Sequence, residues 1–91
     1  RLESVQALAA AARRHFGGVH LVCNNAGVAT FGEIPRASHR DWVYTMNVNF
    51  WGVVHGIEAF VPLLLEQGQG GHVLNTASMA GLVGMRWLGI Y

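Results

Sequence analysis

Ser78 and Tyr91 stand thirteen positions apart and form a candidate catalytic pair, an aliphatic hydroxyl and a phenol. A tyrosine phenol titrates near pH 10, so acid–base work near neutrality requires roughly 4 kcal/mol of differential stabilisation of the phenolate. A nearby cation is the simplest source of it. The sequence contains no lysine, however, and all six of its basic residues are arginines. Two further clusters are rich in small and polar residues: Asn24-Asn25-Ala26-Gly27 and Asn75-Thr76-Ala77-Ser78. No G-x-G-x-x-G phosphate loop occurs, and Gly68-Gln69-Gly70 stands after a helical stretch and before a strand, the wrong context for one. The five histidines show no i, i+4 pair and no cysteine at metal-ligand spacing, so no metal site is expected.

The elements that must position these residues are legible from periodicity. Leu2, Val5, Ala9, Ala12 and Phe16 recur every three or four positions, which predicts a helix ended by Gly17 and Gly18. Val19 to Cys23 is a short apolar run bounded by turn residues, as in a buried strand, and Cys23 within it reads as a core residue. Residues 24 to 37 read as a loop. Ser38 and Asp41 have capping-box spacing, and Trp42, Met46, Phe50, Val53, Ile57, Phe60 and Leu64 then keep helical spacing until the glycines at 68 to 71. Pro62 is expected to bend the last turns of that long helix, and Gly52 and Gly56 to allow close packing against it. His72 to Ala77 predicts a second strand, and residues 79 to 90 a Gly-rich loop.

Helix, strand, long helix, strand is a βαβ unit with an extra helix in front, so the fold class is α/β with parallel strands. In open sheets of this kind ligands bind beyond the carboxyl ends of the strands, and both polar clusters fall on that edge. The arrangement resembles the short-chain dehydrogenase/reductase family. The carriers of the resemblance are Asn24-Asn25-Ala26-Gly27 at the end of one strand and Asn47-Val48-Asn49-Phe50-Trp51-Gly52 on the long helix. Gly71 to Ser78 matches the family's serine strand, and Tyr91 stands at a usual interval beyond it. Together they extend over nearly the whole chain.

The resemblance implies a partial Rossmann-like, doubly wound parallel sheet, with residues 1–91 as the central part of a single NAD(P)-binding domain. The N-terminal Gly-rich unit and the C-terminal substrate-binding part would lie outside it. It implies Tyr91 as the general acid or base, Ser78 as the hydrogen-bonding partner of the substrate oxygen and no acylation site, and Asn49 as the holder of a relay water. In the family a lysine four residues after the tyrosine supplies the cation. Asn24, Ala26, Gly27 and Tyr91 would meet the cofactor, NAD or NADP, and the substrate would be an alcohol or ketone. Met79, Trp87 and Leu88 are expected to form one apolar wall beside the pair. The long helix, residues 42–65, would join copies into a homodimer or homotetramer.

Composition agrees with a segment of something larger. A chain of 91 residues is at most one small domain, and with 52% apolar and 12% charged residues it suits a piece covered on several sides. A first residue of Arg1 fits a fragment or a processed product. A net charge of +1 with scattered arginines gives no footprint for nucleic acid. A single cysteine points to a reducing compartment, by default the cytoplasm, and no apolar run is read as a membrane span. The competing reading is a catalytically inactive fragment or a packing and dimerisation module, because the phosphate loop and the lysine are both absent.

Overall fold

The computed structural model describes residues 1–91. The chain begins with α1 (Leu2–Phe16), which closes on Gly17 in the left-handed conformation at φ 79, with the Gly17 N–H on the Arg13 carbonyl. β1 (Leu21–Asn24) follows, then α2 (His39–Met46), α3 (Gly52–Gln67) and β2 (His72–Asn75). Ser38 caps α2 as its spacing predicts, with both halves of the capping box made. Between α2 and α3 the helix widens for one π turn, Asn47–Trp51, in which the Gly52 N–H reaches the Asn47 carbonyl five residues back. Helix therefore runs unbroken from His39 to Gln67. Pro62 stands inside α3 without ending it; its missing N–H leaves the Glu58 carbonyl without a helical partner.

β1 and β2 pair in parallel, Leu21 with His72 through Asn24 with Asn75. Both strands are shifted or shorter than their apolar runs suggest, and hydrogen bonds explain why. Val19 lies outside the ladder because Gln67, at the end of α3, takes its N–H at 2.8 Å and donates to its carbonyl at 2.6 Å. The ladder stops where the Thr76 N–H meets the Asn24 carbonyl at 3.1 Å, so residues 76 and 77 continue as loop.

The core is a small cluster of Ala9, Val22, Phe60 and Leu64, flanked by Val5, Val19, Ala59, Leu63 and Val73. α1 and α3 thus cover one face of the two strands, and Leu21, Cys23 and Leu74 stand exposed on the other. Side chains alternate across a strand, so Val22 goes inward while Leu21 and Leu74 are left bare on the other face. The same alternation corrects the reading of Cys23, which is exposed. Phe16 departs from its stripe too: it is 83% exposed, because no element of the chain reaches it.

The continuous helix also corrects the membrane reading. His39–Gln67 holds an 18-residue window of mean hydropathy 1.5, enough by length and composition alone to cross a bilayer. Gly52, His55, Gly56 and Glu58 interrupt the apolar run without making it polar, and the core helix of a soluble protein can have the same length and composition.

Candidate active site

The two strand ends and the π turn converge on one cavity of about 320 Å³. Its walls include Asn25, Ala26 and Gly27 from the segment after β1, Asn49 from the π turn, Ser78 from the segment after β2, and Tyr91. Five of the six residues expected to act are therefore gathered in one place; Asn24 is the exception. Tyr91 is 40% exposed and lines the cavity.

Asn49 is held by the segment it faces. Its Oδ1 accepts the Val28 N–H at 2.8 Å and its Nδ2 donates to the Val28 carbonyl at 2.8 Å. A side-chain amide has two donors and two lone pairs, so one N–H and one lone pair are left for another partner. The π turn brings this about: one extra residue per turn locally resets which side chains face the sheet, a device common at functional sites. Thr45, one turn earlier and only 2% exposed, shares a 3.1 Å hydroxyl contact with Thr30.

Ser78 precedes a short 3₁₀ turn, Met79–Gly81, and its Oγ accepts the Ala80 N–H at 3.1 Å. With that acceptor role filled, the hydroxyl hydrogen stays free to donate toward the cavity. Neighbouring Thr76 donates from Oγ1 to Asn25 Oδ1 at 2.9 Å and so ties the two cavity-lining segments together.

Asn24 does something other than line the cavity. Its Nδ2 donates to Asn75 Oδ1 at 2.8 Å, side chain to side chain, between residues that are partners in the strand register. On the helix side it meets Gly56 so closely that a Cβ there would run into its amide. Strand alternation thus turns the Asn24 side chain toward α3 and away from the cavity. The close packing expected at Gly56 is found here, whereas sequence reasoning did not single out Asn25 and Thr76 as members of this assembly, although the matched Asn at the ends of both strands was a signal for it.

Trp87 and Leu88 were expected beside the pair, and the structure places them elsewhere. Trp87 lines a separate cleft of about 440 Å³ with Phe31 and Ile90, and Met79 projects into solvent. The catalytic-pair cavity has amide, hydroxyl, phenol and small apolar walls and no charged side chain among its lining residues. Asp41 lies outside it, at the start of α2. There the Ser38 hydroxyl, then the Ser38 N–H and the Arg40 charge, hold the carboxyl below its usual range.

Comparison with known proteins bears on this arrangement directly. A profile of the short chain dehydrogenases matches residues 1–91. A short chain dehydrogenase/reductase from Burkholderia phymatum, solved in complex with NAD, superimposes with a TM-score of 0.95 at 46% identity, over 100% of this chain and 32% of its own. The apo form of LigO from Sphingobium sp. strain SYK-6 gives 0.94 at 42% identity, over 99% and 33%. The 1-deoxy-11-beta-hydroxypentalenate dehydrogenase of Streptomyces avermitilis is 42% identical over 82 residues, 88% of this chain and 30% of that protein. The chain thus spans about a third of the length of the proteins it matches.

Proposed function

The chain belongs to the short-chain dehydrogenase family, and we propose that it forms the central part of an oxidoreductase that moves a hydride between a nicotinamide dinucleotide, NAD or NADP, and the carbonyl or alcohol carbon of a small molecule. The observation that carries this reading is the single cavity shared by Ser78, Tyr91, Asn49 and the Ala26-Gly27 backbone. Gly27 also supports a ligand there. A Cβ at that position would meet only Asn49 Oδ1, at an ordinary 3.7 Å, so the backbone there leaves room on the cavity side for a bound molecule to approach closely.

When bound, the dinucleotide supplies or accepts the hydride. In reduction the Tyr91 phenol gives its proton to the carbonyl oxygen, and in oxidation the phenolate removes the hydroxyl proton. Ser78 donates a hydrogen bond to the same oxygen and stabilises the charge that develops on it. The spare N–H and lone pair of Asn49 hold a water that returns protons to the site. Asn25, Ala26 and Gly27 would face the dinucleotide, with Asn24 holding the two strand ends together beside them. Because no charged side chain lines the cavity, the cation that favours the phenolate comes from outside residues 1–91; the family resemblance puts a lysine four positions after Tyr91.

Tyr91→Phe in the full-length protein should lower turnover by about 10²–10⁴-fold while NADH or NADPH fluorescence still reports binding. Retention of wild-type turnover by that variant would end the proposal. Assembly follows from the other side of the long helix, where Met46, Phe50, Ile57 and Leu65 are exposed at helical spacing. We assign this face to a second copy of the chain, and light scattering should report a dimer or tetramer; a monomer at micromolar concentration would exclude it. The same exposed face favours the second reading, in which residues 1–91 by themselves are a packing module without activity. The lone cysteine supports a cytoplasmic location.

A further inference from the structure

Twelve residues separate Ser78 from Tyr91, and only the first of them are tied to the serine's own turn, through Leu82 and Val83 N–H groups on the Met79 carbonyl. From Met85 onward the chain is held somewhere else. The Leu88 N–H donates to the Met85 carbonyl at 3.2 Å and closes a tight turn whose third residue is Trp87, at φ 70. Trp87 is the sole non-glycine residue of the chain with positive φ. A large aromatic side chain is an outlier there, at the position a type II turn normally gives to glycine. Such strain persists only where surrounding contacts over-determine it, and it concentrates at functional sites.

The contacts are present. The Trp87 carbonyl accepts the Gly32 N–H at 2.9 Å, and the Arg86 guanidinium carbon lies 5.1 Å from the centre of the Trp87 ring. Leu88 bridges Gly32 in parallel, and Gly89 lies so close to Ile34 that a Cβ would collide with that side chain. Ile90 then lines the Trp87 cleft while Tyr91 lines the catalytic-pair cavity. The segment on which residues 87 to 89 rest is itself fastened to the long helix, by Asn49 at Val28 and by Thr45 at Thr30. Tyr91 is thus brought to the cavity from the β1 side, along a line of anchors that passes through Trp87.

We propose that Trp87 is a positioning residue that, through this strained turn, sets the place of the Tyr91 phenol. The inference rests on the oxidoreductase reading for the role of Tyr91, and its test separates the two. In the full-length protein every variant keeps the Trp87 carbonyl on Gly32; Trp87→Gly removes both the strain and the ring that fills the cleft, Trp87→Ala keeps the strain and loses the ring, and Trp87→Phe keeps an aromatic ring in the cleft and against Arg86. We expect kcat to fall about tenfold in W87G and W87A alike, with KM for the dinucleotide within twofold. W87F should keep at least half of the wild-type kcat. Tm should fall further in W87A than in W87G, because only alanine leaves the positive φ unrelieved. In protein labelled with 3-fluorotyrosine, the Tyr91 resonance, assigned by its loss in Y91F, should shift or broaden in W87G and stay in place in W87F. An unchanged resonance or unchanged kcat in W87G would overturn the proposal, as would losses of kcat that merely follow Tm. The fluorine readout needs no turnover, so a wild-type protein inactive with both dinucleotides would count against the oxidoreductase reading alone.

Discussion

Two side-chain amides illustrate how single residues build this site. Asn49 and Gln67 stand near opposite ends of the helical stretch that lies against the strands, and each grips both backbone groups of one residue, Val28 and Val19, on either side of β1. A backbone N–H and C=O outside the ladder would otherwise be left unpaired in a partly buried place, at about 1–3 kcal/mol each. The capping box is a third local device. Ser38→Ala should cost about 1 kcal/mol in urea unfolding of the full-length protein. Its acid dependence follows from Asp41, whose carboxyl is held low by the Ser38 hydroxyl, the Ser38 N–H and Arg40. A depressed folded pKa means that this stabilisation is complete above the ordinary value of 3.8 and is lost as pH falls through the lower folded value. Asp41→Asn should therefore flatten the acid limb of a stability–pH curve below about pH 4; an unchanged limb would show that the box does not couple to folding.

At the scale of elements, the decisive contact is the close approach of α3 to β1. Gly56 leaves no room for a Cβ because the Asn24 amide occupies that space on its way to Asn75. Gly56→Ala must push the helix away or break the Asn24–Asn75 pair, and overpacking of this kind costs about 1–3 kcal/mol. The double variant Gly56→Ala/Asn24→Ala should recover part of that loss, since it removes the atoms in collision. Additive losses in a double-mutant cycle would show that the two positions do not meet in the folded protein. The π turn works at the same scale. It carries Asn49, whose amide clamps Val28.

Across the whole molecule, burial is too small for independence. Six of 91 residues are buried, and Leu21, Leu74, Phe50 and Leu65 stand exposed on faces that a complete sheet or a second copy would cover. Residues 1–91 expressed alone should show helical far-UV circular dichroism without a cooperative calorimetric transition, and should bind ANS. A sharp transition near the Tm of the full-length protein would contradict this.

The sequence by itself determined the order of elements, both helix stops at glycine, the capping box, the parallel pairing and the family, because each depends on neighbours within a few positions or on motifs of fixed spacing. It also singled out Ser78, Tyr91, Asn49, Ala26 and Gly27, which line one cavity. What only the tertiary structure decided depends on which face of an element meets another. Strand alternation put Cys23 in the open and turned Asn24 from the cavity toward Gly56, and one wide helical turn, invisible to a 3.6-residue period, aimed Asn49 at Val28. Trp87 left the expected wall for a strained turn on Gly32, since a backbone angle held by partners more than fifty residues away has no signature in local spacing.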